Sequence, residues 1–419
     1  MYFTIFVLAV ARLLAQIPVY GVNKDYLSIL FEGSSMLSFM DSLSGGAMST
    51  LSVAGYGITS YITATIVVQL LSVVFPSIER IRKDGERGRK TLEKIQFMLA
   101  MLITLICSLT LSISSKNNGM FESFNALSVT LAVCSWLMGT FIIVSLAQKV
   151  EEYGIGNGVS LVLCCNIISR LPKNLIAYYD EIIDRRIIEL KILRILALIG
   201  VMLIFYVIVV YLQRGILNTP IQQIKKDASI MNTNGKIPMS VNIANVLPVI
   251  YASTVFAIPS LMVTIFQIDT DKKMEKILSI FNTENWYSPT HWYHLAGLFL
   301  YIVIIICLGF FSSHLTFSSA EVVDDMRKNG DIIPNVAPGK ESVLFLEKQR
   351  KILTVINVAF LLVIAIVPDF ICVRMGISNF TFLGTSLIII ISVLFDTAFR
   401  LRAASIHNDR KFALFGKGV

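Results

Sequence analysis

Catalysis needs reactive groups brought together, and this sequence offers few. Its four histidines, His291, His294, His314 and His407, stand at the edges of apolar runs or between them, with no serine or cysteine motif beside them. A Walker-type glycine loop, a Gly-x-Ser-x-Gly elbow and a His-Glu-x-x-His pair are all absent from the sequence. The six cysteines, Cys107, Cys134, Cys164, Cys165, Cys307 and Cys372, lie in or at the edge of apolar runs without metal-ligand spacing. They read as small apolar side chains. The expectation is a protein that is not an enzyme and has no metal and no cofactor.

What the apolar runs do hold is polar and, with two exceptions, uncharged. Thr63 and Gln69 share one run, Asn157 and Ser160 open another, and Thr385 and Ser386 lie in the last. Such groups either hydrogen-bond between helices in lipid or mark a helix seam that opens. The exceptions are Arg12 and Asp396. Arg12 either snorkels to the membrane edge or bonds the broken segment that follows it, and Asp396 sits near the end of its run. Ion-coupled carriers usually keep ionisable groups at depth. Beside the polar positions stand Ile58, Ile62, Val159, Leu163, Ile250 and Ile389, which by themselves read as core or lipid contact.

The elements that carry these residues are membrane spans. The 419 residues are 55% hydrophobic and 15% charged, whereas a soluble domain has about a quarter charged. The apolar residues come in blocks of the length, about 20 residues, that crosses the hydrocarbon core. Ten spans are predicted, at 1–18, 56–75, 95–113, 127–148, 155–171, 193–212, 245–267, 293–313, 352–371 and 380–398. The opening MYFTIFVLAVARLLAQIP reads as a first span rather than a signal peptide, because no basic stretch precedes it and Arg12 interrupts it. Two stretches are interrupted: the Ser- and Gly-rich segment between the first two spans, and the seventh span, which holds Pro248 and Pro259. Broken backbone at membrane depth is tolerated where it is buried in protein or lines a watery cavity. The alternatives, a re-entrant segment or an outside loop with a kinked helix, stay open on composition.

The net charge of +8 fits cytoplasmic loops facing anionic lipid and gives no basic face for nucleic acid. One set of loops carries twelve Lys and Arg, the other set with the C-terminal tail twenty-three. The richer side belongs in the cytoplasm, so both termini are expected inside. Ten spans then divide into two fives of opposite topology, an arrangement that places a path at their interface.

Four stretches in order resemble the SecY family over nearly the whole chain: LSGGAMSTLSVAGYGITSYITATIVVQLL, IRKDGERGRK, GIGNGVSLVL with ISRLP, and IPMSVNIANVLPVIYAS with EVVDDMRKNGDIIPNVAPGKES and FLGTSLIIIISVLFDT. The resemblance implies an all-α membrane protein with ten helices in two inverted five-helix halves around a central pore. Residues 1–171 would form the first half, 172–192 a hinge loop and 193–419 the second half. Matched by motif, Ile58, Ile62, Val159, Leu163, Ile250 and Ile389 would form an apolar ring sealing the pore. An apolar ring excludes ions by dewetting yet deforms around any side chain. A plug would span about 36–49, with Met40, Asp41, Leu43, Gly45 and Gly46, and its two glycines would help it turn and leave. Thr63, Gln69 and Asn157 would lie near the lateral gate. Arg214, Lys225, Lys226, Arg327, Lys328 and Lys340 would dock a cytosolic SecA-type motor ATPase. Small SecE- and SecG-like subunits, unfolded preproteins and the lipid bilayer are the other implied partners, and the plasma membrane the implied location.

Departures from the family pattern point further. Ser60 stands where Pro is usual, Asp41 where the plug usually has Asn, Asn245 and Leu383 where Gly is usual. In the loop after the eighth span, Ala337 replaces an Arg used in docking, and Ala supplies neither its charge nor its fork of donors. The pattern resembles the accessory SecY of some Gram-positive bacteria, which works with a dedicated motor and exports serine-rich glycosylated adhesins. The alternatives are a diverged housekeeping SecY and, from another class, a solute transporter with polar groups converging at the midplane.

Overall fold

The computed structural model describes residues 2–22, 41–114, 121, 124–183, 188–223, 235–266, 272–282, 285–286, 293–374 and 383–415. Thirteen helices are named here in chain order: α1 (Tyr2–Gln16), α2 (Gly57–Val74), α3 (Pro76–Lys83), α4 (Gly85–Ser114), α5 (Ala126–Tyr153), α6 (Gly158–Ile183), α7 (Ile188–Arg214), α8 (Leu247–Phe266), α9 (Lys272–Phe281), α10 (Tyr293–Thr316), α11 (Ser319–Asn329), α12 (Lys340–Arg374) and α13 (Leu383–Phe415). Each of the ten expected spans falls on one of them: α1, α2, α4, α5, α6, α7, α8, α10, α12 and α13. By length and composition alone, four stretches among the described residues are long and apolar enough to cross a membrane, and a fifth if the bent pair α2–α3 is one span. Tyr2–Gln16, Gly200–Arg214 and Leu247–Phe256 are shorter apolar helices.

Between lipid-embedded helices apolar burial gives little net drive, so close packing of small residues matters more. The Gly-Ile-Gly-Asn-Gly turn between α5 and α6 shows the point. Gly156 has φ +94°, a conformation that L side chains rarely adopt, and a Cβ on Gly158 would lie 1.9 Å from the Ala147 carbonyl oxygen. Gly156 is therefore needed for backbone shape and Gly158 to let α6 lie on α5, and a Cβ on Gly154 would also meet the Val150 carbonyl oxygen at 2.7 Å. Gly309 plays the second part for α10 against α12, where a Cβ would meet the Val358 side chain at 2.3 Å.

Two features differ from expectation. The hinge loop placed at 172–192 is largely helix: α6 runs through Pro172 to Ile183 and α7 begins at Ile188. One internal proline kinks a helix without ending it when neighbouring backbone groups remain bonded. Residues 184–187 lie outside the described residues. The second is a small sheet, which the hydrophobic pattern of the spans does not announce. Strands β1 (Ile216–Gln223), β2 (Gly235–Ser240) and β3 (Asp331–Ile332) are ordered β2-β1-β3, all antiparallel. β1 and β2 follow α7, whereas β3 follows α11, so two loops distant in sequence share one sheet.

Candidate functional site: pore seal, plug segment and docking face

The six expected ring residues come from four helices, α2 (Ile58, Ile62), α6 (Val159, Leu163), α8 (Ile250) and α13 (Ile389), which belong to both halves of the chain. Five are buried and Val159 is partly buried, and all six belong to one contiguous apolar cluster. Leu43, Ala47, Met48 and Leu51 of the expected plug and its return leg belong to that same cluster. The expected ring and plug positions thus share a single apolar core.

The plug segment enters the described residues at Asp41, and Met40 lies outside them. Asp41–Ser44 is one helical turn, followed by turns to Ala54. Its return leg is tied to the end of α1 by backbone bonds, Val19 N–H to the Leu51 carbonyl at 3.1 Å and Val53 N–H to the Ile17 carbonyl at 2.9 Å. Asp41 is fully buried, and its Oδ2 lies 2.7 Å from Nη2 of Arg170 on α6. Its Oδ1 accepts the Ser49 N–H at 2.8 Å. Asn166, one turn before Arg170, donates to the Leu43 carbonyl at 3.1 Å. Arg12 of α1 donates to the Gly45 carbonyl at 3.3 Å. Of the two roles open to Arg12 from the sequence, the bond to the broken segment is the one found. Asp396 is exposed on α13.

Gly45 and Gly46 have φ of +73° and +85°. A Cβ on Gly45 would lie 2.4 Å from Arg12 Nη1, and one on Gly46 2.8 Å from Arg170 Nη1. The glycine pair therefore does more than turn the chain. It clears the space that two guanidinium groups fill.

The expected gate residues have different occupations. Gln69 of α2 accepts a hydrogen bond from the Tyr251 hydroxyl of α8 at 2.9 Å, joining the two halves. Thr63 spends its hydroxyl on the Thr59 carbonyl of its own helix, at 2.9 Å. Asn157 caps α6 by accepting the Ser160 N–H at 2.9 Å, a normal N-cap bond. Only Gln69 of the three makes a bond across the seam among the described residues. Arg82 of α3 donates to the Leu315 carbonyl of α10 at 3.4 Å, a second bond between halves. A cavity of about 240 Å³ lies beside them, lined by Gln69, Ser72, Arg82, Gln96, Leu247 and Ser312 among others.

The described expected docking residues lie on helices that flank the strands in sequence. Arg214 ends α7, Arg327 and Lys328 lie in the last turn of α11, and Lys340 opens α12; all four are exposed. Lys225 and Lys226 lie outside the described residues. A second apolar cluster, including Met239, Val323, Met326, Ile333, Leu346 and Leu353, anchors the sheet and α11 onto α12. Each such side chain contributes roughly 2 kcal/mol where its burial removes it from water. The Thr219 hydroxyl on β1 donates to Gln349 of α12 at 2.8 Å. Ser318 caps α11 at its start, and Gly330, left-handed at φ 73°, ends it. Ala337 is exposed between α11 and α12, and its carbonyl accepts the Ser342 hydroxyl at 2.9 Å.

Arg170, Asn166 and Tyr251 were not singled out by sequence reasoning. A signal for Arg170 was present. A carboxylate in an otherwise apolar, Ser- and Gly-rich segment demands a counter-charge if it is buried, and few in-span cations are available.

A family profile described as SecY matches residues 52–398. The chain is 31% identical to the protein translocase subunit SecY of Pyropia yezoensis, over 94% of this chain and 93% of that protein. It is 29% identical to the subunit of the same name from Helicobacter pylori, over 94% and 92%, and 27% identical to that of Staphylococcus carnosus, over 99% and 95%. Among solved structures, the fold is similar to a SecY channel studied for how its plug domain stabilises the closed state, with TM-score 0.71, 18% identity, and 97% and 92% of the two chains covered. Sec61 in a canine ribosome-channel complex aligns with TM-score 0.66 and 19% identity, over 97% and 92%.

Proposed function

The chain belongs to the SecY family of protein translocase subunits, and from that premise we propose that it forms the pore of an accessory export system in the plasma membrane. Its cargo would be unfolded preproteins, serine-rich glycosylated adhesins among them. Both termini would face the cytoplasm, where a dedicated SecA-type motor binds the face around β1–β3 and α11. Small SecE- and SecG-like membrane subunits would complete the channel. In this reading the chain itself performs no catalysis.

For the pore, the observation that carries the reading is the single apolar cluster shared by Ile58, Ile62, Val159, Leu163, Ile250, Ile389 and the 41–51 segment. Residues from both halves meet there without a charged ring member, which suits a seal and not a solute-binding pocket. Solute carriers need convergent polar groups at such a place.

For the accessory assignment, the supporting observation is Ala337. It stands exposed between α11 and α12, where the family pattern has a docking Arg. Without that guanidinium the loop offers no bidentate grip on an acidic motor surface. The second reading is a diverged housekeeping SecY, and the similarity to the protein translocase subunit SecY of Staphylococcus carnosus over 99% of this chain fits either.

Depletion of housekeeping SecY in a host cell separates the two. The unmodified chain is expected not to restore growth, yet to move a preprotein into proteoliposomes when supplied with its own motor. Full restoration of growth would overturn the accessory assignment. Uptake of small solutes without protein translocation would overturn the pore assignment.

A further inference from the structure

We propose that Asp41 and Arg170 form an ionic latch that seats the 41–49 segment against the first half of the chain, and that this segment leaves the pore only when the pair is broken. The proposal rests on reading 41–49 as the plug.

The pair is enclosed. Asp41 has no exposed surface, and the Arg170 side chain is 19% exposed, with 2.7 Å between Nη2 and Oδ2. Removing one partner of such a pair leaves a buried, uncompensated charge, a much larger penalty than the pair's net worth. The carboxylate is also what distinguishes Asp from Asn at this position. An Asn side-chain oxygen would accept the Ser49 N–H as Asp41 Oδ1 does. The second carboxylate oxygen faces the guanidinium, and the negative charge shared by both oxygens is what Asn lacks.

The surrounding residues are fitted to the pair. Gly46 has no Cβ where Arg170 passes, and at φ +85° no other residue type holds that backbone without strain. Asn166, on the same helix as Arg170, secures the Leu43 carbonyl, and Arg12 secures the Gly45 carbonyl. All these polar anchors come from α1 and α6, both in the first half. The hydrogen bonds between the halves described above, Gln69 with Tyr251 and Arg82 with Leu315, do not involve these anchors. Parting the halves therefore leaves the latch intact, and release of the plug is a separate step with its own threshold.

The test uses the full chain reconstituted with its small membrane partners in planar bilayers, read as resting ion conductance. Deletion of 41–49 sets the scale of an unplugged pore. Asp41→Asn, Arg170→Gln and the double variant form a cycle. Thermal melting in detergent identifies any variant that does not fold, and the remaining variants then carry the comparison. The latch predicts that each single change raises resting open probability by roughly tenfold or more, and that the double variant adds little beyond either single one, the non-additivity expected of a shared contact. If the deletion leaks while the folded single variants stay tight, or if Asp41→Asn and Arg170→Gln act additively, the latch is overturned and the plug stands. If the deletion itself does not leak, the plug reading fails and the latch falls with it.

Discussion

The Tyr251 hydroxyl donates to Gln69 across 2.9 Å, from one half of the chain to the other. Tyr251 is buried, and Gln69 borders the cavity between α2, α4, α8 and α10. A hydrogen bond of this kind is worth about 1 kcal/mol net. In the proposed channel it is strong enough to bias the seam closed and weak enough to be broken in use.

Tyr251→Phe is expected to loosen that seam without disturbing the fold, because only the hydroxyl is removed. The closed state should lose about 1 kcal/mol, roughly a fivefold shift in population. Export of a reporter with a weakened signal sequence should rise accordingly. Equal export by wild type and Tyr251→Phe would mean that the bond is incidental.

Ile62→Asn places an amide in the apolar cluster that also contains the plug segment. A seal that works by excluding water should wet when its lining becomes polar. Resting ion conductance is expected to rise several-fold, whereas Ile62→Leu should stay close to wild type. Similar conductance in both variants would place Ile62 outside the seal.

Gly158→Val tests packing rather than gating. The Ala147 carbonyl lies 1.9 Å from where a Cβ would sit, and backbone oxygen cannot rotate away. Overpacking of this kind costs about 1–3 kcal/mol or more. The variant should melt several degrees lower in detergent and accumulate poorly, and an unchanged melting point would refute the close approach of α5 and α6.

Ala337→Arg restores the guanidinium of the family pattern but not the rest of a docking face. It is expected to leave growth unrestored in cells depleted of housekeeping SecY. Motor binding measured against salt should steepen, since one more exposed charge contributes. Rescue of growth by this one change would show that Ala337 alone separates the two kinds of channel.

All ten predicted spans fall on helices, because long hydrophobic blocks leave little freedom in how they fold. The sheet was not legible in the sequence. β1 pairs with β3 through Gln222–Ile332 and Gln223–Asp331, and no local pattern announces a two-residue strand on a remote loop. Helix ends were blurred for a different reason: α6 continues well past its apolar run, because polar residues beyond the membrane still form helix. Asn157 carried a cap signal that its membrane setting obscured.

The departures from family pattern divide in the same way. Asn245 has φ 56°, so the position usually held by Gly keeps its left-handed backbone, which Asn tolerates. Ser60 donates its N–H to the Tyr56 carbonyl at 2.9 Å, a bond that Pro could not make. Asp41 needed the fold to explain it, since its partner lies on another helix.

The three-stranded sheet has a mechanical consequence. β1 and β2 hang between α7 and α8, and β3 lies between α11 and α12. Hydrogen bonds along β1 and the apolar cluster on α12 join these connections into one unit. A motor docked at α11, as proposed above, would therefore pull on α7, α8 and α12 together. In the proposed channel its stroke would reach the second half as a lever, while segment 41–53 stays bonded to the first.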